Sequence, residues 1–370
     1  MRILLACDKF KGSMGAVEAC EAIRSGLPVE WQASICPIAD GGEGFVDAML
    51  AGSGGERVIA HCLDPLGRPV EASYGIYRSQ QGETVAVLEM SAASGIWRVP
   101  AEERDPRHSS TYGTGELMRH AIEISEATRL LVGIGGSATN DGGAGMAAAL
   151  GVRFLDDQGR DLLPIPEDLV RLAKVDESGK IPLPEIIVAC DVDNPLVGPR
   201  GASAIFGPQK GATPEDVAFL DATLANLARL SDGGTEAGTP GAGAAGGLGF
   251  GLLRFAGAKL EPGFNLVAEA LGMEARIAEA DLVITGEGSL DAQTLGGKGP
   301  AGVAAMAKAA GIPVIAVAGR VEDAARPLFD AALSLEEFGL PVAESIERAP
   351  ELVSRLISNH EGLLRSLLAR

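Results

Sequence analysis

Lysine is scarce in this chain. It occurs eight times in 370 residues, and arginine carries most of the positive charge. Acidic residues dominate, leaving a formal net charge of −19. No basic run is long enough to offset that surface, which repels nucleic acid and anionic membranes. Aromatics make up only 4% of the chain, so its cores are expected to be built from Ala, Val, Leu and Ile. The cysteines, Cys7, Cys20, Cys36, Cys62 and Cys190, are odd in number and form no C-x-x-C. This argues against a disulfide framework or a thiolate metal site. Cys7, Cys36 and Cys190 lie in or at the end of apolar runs and read as small buried hydrophobes. Nothing approaches the roughly 18–20 apolar residues of a membrane span, and residues 3–7 are too short for a secretion-signal core. The expectation is a cytoplasmic enzyme of small molecules, with no nucleic-acid or membrane partner.

What is present is length, apolar content and glycine. At roughly 100–200 residues per domain, the chain suggests two domains. With 46% hydrophobic residues it can fill a core in each. Residues 2–7 read as a buried parallel strand, followed by a polar loop and a helix over about 15–26. A second strand over 33–38 leads into Asp40-Gly41-Gly42-Glu43-Gly44 and another helix. This is the rhythm of a parallel sheet flanked by helices. Residues 70–77 and 84–89 alternate around a turn at 79–82 and predict a hairpin, marking a change of domain. Strands over 129–133 and 185–190 follow, with a helix over 110–125 before them. The opening rhythm returns late: strands over 281–285 and 312–318, with a helix after Gly299-Pro300. The predicted fold is α/β with two α/β domains. Residues 1–62 and 280–370 form a discontinuous, Rossmann-like parallel-sheet domain, residues 63–279 an inserted α/β domain, and the active site lies in the cleft.

Ligands of open α/β sheets bind beyond the carboxyl ends of the strands. Five predicted strand ends here carry polar, glycine-rich loops, more than helix capping alone explains. In the loop over 135–143, glycine N–H groups and the following helix dipole suit a phosphate, and Ser137 and Thr139 add hydroxyls. Lys298 sits among glycines as a point charge for a phosphate. Lys9 and Lys11 flank Phe10, so in an extended loop they share a side. Asp191 and Asp193 have the same spacing, and nucleotide-bound Mg²⁺ needs only one or two carboxylates. Lysines, carboxylates and glycine loops are what phosphoryl transfer requires. There is no G-x-x-x-x-G-K-[ST] and no H-R-D with D-F-G, so P-loop and protein-kinase sites are excluded. The four histidines lack metal-ligand spacing. A competing pattern exists: residues 133–138 fit G-x-G-x-x-A after a strand, with Asp156 placed beyond as in a dinucleotide fingerprint.

Taken together, the loops resemble the bacterial glycerate kinase family, of the type that makes 2-phosphoglycerate. The matching segments are Asp8-Lys9-Phe10-Lys11-Gly12-Ser13, Ala39-Asp40-Gly41-Gly42-Glu43-Gly44, residues 133–143, and Asp191-Val192-Asp193-Asn194-Pro195-Leu196. Phe206-Gly207-Pro208-Gln209-Lys210-Gly211 and Gly286-Glu287-Gly288-Ser289-Leu290-Asp291 continue the series in order. Cys7 stands where the family often has proline. The resemblance implies ATP-dependent phosphorylation of D-glycerate with Mg²⁺, in glyoxylate, glycolate or sugar-acid breakdown, by a monomer or homodimer. On the chemistry above, Asp191 is expected to orient or deprotonate the glycerate hydroxyl. Asp193, Asp40 or Asp291 would hold Mg²⁺, and Lys9, Lys11 and Lys298 would neutralise charge. Gly135, Gly136, Ser137, Thr139, Asn140 and Asp141 would cradle phosphate. Ser13, Gly41, Gly42, Glu43, Asn194 and Glu287 complete the expected binding set. A nicotinamide-dependent hydroxy-acid dehydrogenase and a non-catalytic sensor of an anionic metabolite are the alternatives.

Overall fold

Short apolar runs bounded by Gly, Asp and Pro form the strands. In a computed structural model they are β1 (Arg2–Cys7), β2 (Gln32–Ile35), β3 (Glu56–Leu63), β4 (Pro69–Arg78), β5 (Thr84–Glu89), β6 (Arg129–Gly133), β7 (Arg153–Leu155), β8 (Lys174–Asp176), β9 (Glu185–Ala189), β10 (Lys259–Glu261), β11 (Leu282–Leu290), β12 (Val314–Val321) and β13 (Ala331–Ser334). The structure describes residues 1–39, 41–79, 81–291, 294 and 299–369. The chain divides into two units, one of Met1–Asp40, Asp47–Gly54 and Phe264–Arg370, the other of Gly41–Val46 and Gly55–Gly263. The class is α/β, as the alternation of strand and helix signals predicts. No helix among the described residues is long and apolar enough to cross a membrane.

The first unit holds a five-stranded sheet in the order β13-β12-β11-β1-β2, with every pairing parallel. Its strands come from both ends of the chain. Counted within this sheet alone, they run 2-1-3-4-5, so the order reverses between β1 and β11. Such a reversal opens a crevice at the carboxyl ends of the two central strands. Alternate residues face opposite sides. Ile3, Leu5 and Cys7 join Leu282, Ile284, Ile315 and Val317 in a core closed by buried residues of helices Ala16–Gly26 and Ala349–Asn359. Each fully buried Leu or Ile contributes about 1.5–3 kcal/mol. Helix Pro300–Ala309 also packs on β11 and β12, burying Val303, Ala304 and Ala307.

The second unit is built on a six-stranded mixed sheet, β10-β9-β6-β5-β4-β3. β5, β6, β9 and β10 are parallel, so their carboxyl ends share one edge, while β4 and β3 are added antiparallel. β4 and β5 form the predicted hairpin, yet β5 also pairs with β6 inside the main sheet. One core lies around Tyr74, Leu88, Leu130, Val132 and Val188. A further core gathers Phe154, Phe250 and Phe255 against Leu224 and Leu227 of helix Pro214–Leu230. The expected burial of cysteine holds for Cys7 and Cys36, whereas Cys190 is partly exposed. Burial pushes the Cys36 and Cys62 thiols up to about 11.

Candidate functional site

At the carboxyl end of β1, Asp8 N–H still donates to the Gly286 carbonyl on β11 (2.8 Å). The loop then folds on itself, with Phe10 and Met14 bridged. Phe10 is buried while Lys9 is half-buried and Lys11 exposed. The aromatic ring anchors the loop, which turns back at Met14 and is not the extended segment in which the two lysines would share a side. On the neighbouring strand end Glu287 is half-buried, and its Oε1 accepts from Thr294 Oγ1 (2.7 Å). Thr294 Oγ1 in turn accepts from Asp291 N (3.1 Å). Asp8, Lys9 and Lys11 therefore stand on one side of the β1/β11 reversal, and Glu287 and Asp291 on the other. The Ser13 hydroxyl donates to the Ile346 carbonyl (2.8 Å), tying the loop to helix Val342–Glu347. Asp40 and Lys298 lie outside the described residues.

In the second unit the glycine-rich loop follows β6. Gly135 is half-buried and Gly136 exposed, whereas Ser137, Ala138, Thr139, Asn140 and Asp141 are buried. The loop thus presents backbone at its crest and turns its polar side chains inward. Gly41 lies across the strand ends, with its carbonyl accepting from Gly135 N (3.4 Å). A Cβ at Gly41 would sit 2.4 Å from the Ala189 Cβ, and its φ of +80° is one that L side chains rarely adopt. Only glycine fits this close approach. Gly42 is half-buried and Glu43 exposed. Next to them Glu89, at the end of β5, accepts from Val46 N (2.9 Å).

Asp141, expected as a ligand contact, lies inside the loop. It is fully buried and accepts from Thr111 N, Thr111 Oγ1, Gly143 N and Gly145 N at 2.7–3.1 Å. It closes the loop and starts helix Ala144–Ala149. Desolvation raises its pKa above the ordinary value, against the opposing pull of those hydrogen bonds. Asn140 donates from Nδ2 to Ser203 Oγ (2.9 Å). Among the described residues, its buried Oδ1 and the buried Thr139 Oγ1 meet no hydrogen-bond partner.

Beyond β9, Asp191 is half-buried and its Oδ1 accepts from Gly263 N (3.4 Å). Asp193 is exposed and pairs with Arg200 (2.8 Å). Asn194 Nδ2 donates to the Arg200 carbonyl (2.8 Å), closing its own loop. The two aspartates thus have different surroundings in spite of their even spacing. Among the described residues no group of three or more His, Cys, Asp or Glu is placed to hold a metal ion.

The dinucleotide fingerprint dissolves on this geometry. Ala138 N donates to the Ser94 carbonyl (3.0 Å), and the helix starts only at Ala144, so the third position does not open a helix. Asp156, the acid such a site would turn to a ribose, accepts instead from Gln158 N, Arg160 N and Arg160 Nε.

One residue escaped the chemical reading of the sequence. Lys210 is 1% exposed, and its Nζ donates to Ser137 Oγ and to the Thr139 carbonyl, each at 2.7 Å. Desolvation lowers its pKa to about 7, partly opposed by Asp141. The signal was a lysine in a Gly-Pro-Gln-Lys-Gly turn of a lysine-poor chain. Periodicity cannot reveal that such a turn is buried.

Glycine backbone and lysine–carboxylate loops on the carboxyl edges of parallel strands, without a P-loop, define an α/β enzyme of small anionic substrates. A sequence model of the glycerate kinase family matches residues 3–365. The chain is 44% identical over 368 residues to the glycerate kinase of Bacillus subtilis (strain 168), covering 96% of this chain and 95% of that one. It is 46% identical over 333 residues to the glycerate 2-kinase of Escherichia coli (strain K12), covering 87% and 86%. A crystal structure of a candidate glycerate kinase 2 from Salmonella typhimurium LT2 superposes with a TM-score of 0.88 at 42% identity, covering 99% and 98%. The chain belongs to the glycerate kinase family, and is a phosphotransferase.

Proposed function

We propose that this chain transfers the γ-phosphoryl group of ATP to the 2-hydroxyl of D-glycerate, giving 2-phosphoglycerate and ADP. The observation that carries the reading is the 46% identity, over 87% of this chain, to the Escherichia coli glycerate 2-kinase. In the reaction a bond forms between the hydroxyl oxygen and the γ-phosphorus as the bond from that phosphorus to the β–γ bridging oxygen breaks. The hydroxyl proton passes to a carboxylate, for which Asp191 is the candidate. Its half-buried position and its hydrogen bond from Gly263 N keep it oriented at a strand end. General-base catalysis of this kind is worth roughly 10²–10⁴ in rate. Lys9 and Lys11 would neutralise carboxylate or phosphoryl charge, joined by Lys298, and the Gly135–Gly136 crest would offer N–H groups to phosphate.

Mg²⁺ fits the donors present. Asp193 or Asp291 would supply a hard carboxylate oxygen, and a nucleotide-bound Mg²⁺ needs only one or two of these, its remaining ligands being phosphates and water. The ion would neutralise charge on the phosphates. Asp40 is a third candidate ligand.

The test is ADP release with ATP, Mg²⁺ and D-glycerate, with the product identified by ³¹P NMR. Glycerate-dependent formation of 2-phosphoglycerate is expected. A 3-phospho product would overturn the assignment of the attacking hydroxyl, and absent turnover in folded protein would overturn the reaction. Near-normal turnover by Asp191→Asn would remove Asp191 as the base.

A further inference from the structure

Lys210 ends the short turn Pro208–Lys210, which follows directly on helix Ala202–Phe206. This one segment meets the glycine-rich loop at three points: Lys210 on Ser137, Lys210 on Thr139, and Ser203 on Asn140. The turn is itself held. Gly211 has φ +96°, and a Cβ there would lie 2.7 Å from the Arg104 carbonyl oxygen. The Arg104 guanidinium donates to the Gln209 carbonyl (3.3 Å).

Desolvating an ammonium is among the costliest things a fold can do, and an apolar side chain of similar size often serves stability as well or better. What the lysine adds is orientation. An ammonium only donates, so Ser137 Oγ must accept from it, and the hydroxyl's own proton is turned away from the lysine. The loop crest just before Ser137 is two successive glycines, the residues with most freedom to lose. On its other side the crest is fixed by Ile96 N donating to the Gly136 carbonyl (2.8 Å) and by the long contact of Gly135 N with Gly41.

We propose that Lys210 is a positioning residue of this loop, gripping Ser137 and Thr139 from within so that the Gly135–Gly136 crest is preset for the phosphates of ATP. Buried as it is, Lys210 acts through the loop and does not touch the nucleotide. The inference rests on the kinase reading above.

The test compares wild type with Lys210→Met and Lys210→Gln in the full chain, using ATP, Mg²⁺ and D-glycerate. The methionine variant is expected to raise KM for ATP about tenfold, the effect of leaving one or two loop residues to be ordered on binding. KM for glycerate and the melting temperature should change little. The glutamine variant keeps a donor and should recover part of the loss. The charge facing Lys210 is that of Asp141 from the loop. The charged form makes the stronger hydrogen bonds, so kcat/KM for ATP should fall as pH rises past about 7 in wild type. That limb should be missing from the methionine variant.

An unchanged KM for ATP in the methionine variant would overturn the proposal. So would a parallel loss of both KM values and thermal stability, which marks a purely structural residue. Should the methionine variant fail to fold, glutamine with an unchanged KM for ATP and a limb like that of wild type overturns it equally. An inactive wild type would instead overturn the kinase reading, and this inference with it.

Discussion

The two strand-end regions solve one problem in opposite ways. At the end of β1, Phe10 is buried and the neighbouring lysines are left toward solvent. Backbone and an aromatic ring are the scaffold there, and under the proposed function the charged side chains would be the working parts. At the end of β6, glycine backbone is at the surface, and the polar side chains of 137–141 are inside. In that loop the side chains are the scaffold, and under the proposed function the backbone would be the working part. Residue types that look alike in sequence, a lysine or an aspartate in a glycine loop, therefore do different jobs. The difference is burial: a buried charge must be held by many partners, and one that is held cannot also meet a ligand freely.

Asp141→Ala should break this contrast most severely. It removes a buried acceptor of five hydrogen bonds and leaves buried donors unpaired, each costing about 1–3 kcal/mol. The expected loss of stability is about 4 kcal/mol, read by denaturant unfolding. A variant as stable as wild type would mean that the carboxylate is not the loop's scaffold.

Lys11→Met is the counterpart at β1. The side chain is exposed, so stability should stay within about 0.5 kcal/mol. kcat/KM for phosphorylation should fall about 10²-fold if the ammonium stabilises the transferring group. A loss of stability with activity intact would reverse the assignment of working parts.

The regular α/β frame was legible because its central strands are unbroken apolar runs that stop at Gly or Asp. β1, β6 and β9 are of this kind, whereas β11 and β12 begin so but run on past Gly286 and Gly319 to Leu290 and Val321. β3 was missed: Glu56–Leu63 is an edge strand whose outward residues include Glu56, Arg57 and His61, so its pattern is polar and follows Gly54-Gly55. The second predicted strand is shorter than residues 33–38, ending at Ile35. The glycine and alanine stretch over 238–251 leads into a helix, Ala244–Ala256, through left-handed backbone at Ala245, Gly246 and Gly247. A Cβ at Gly246 would lie 1.9 Å from the Thr139 carbonyl oxygen, a tertiary contact that no local pattern signals. For the site, sequence located the loops but not which way their side chains turn. Asp141, Asn194 and Ser13 were read as ligand contacts, and each is engaged by its own fold. Lys210 was visible only within a family motif, because its burial depends on segments far apart in the chain.

The smallest effect tests the inside of the second loop directly. An unfolded lysine titrates near 10.5, whereas folding lowers Lys210 to about 7 through desolvation. Below pH 7 both states hold the proton, and the folded chain bears the full cost of a buried charge. Above it the folded chain releases the proton while the unfolded chain keeps it, so the unfolded state binds more protons. Stability attributable to this residue must then rise with pH, by at most about 1.4 kcal/mol per unit, up to about 10.5. Between pH 7 and 8.5 wild type should gain about 1.5 kcal/mol on Lys210→Met, measured as the difference between their denaturant-unfolding free energies at the two pH values. A difference that does not change with pH would mean that Lys210 keeps its proton in the fold. The grip on Ser137 and Thr139 would then be that of a buried ammonium whose hydrogen bonds and Asp141 offset its desolvation, and the inside-out contrast between the two loops would lose its sharpest term.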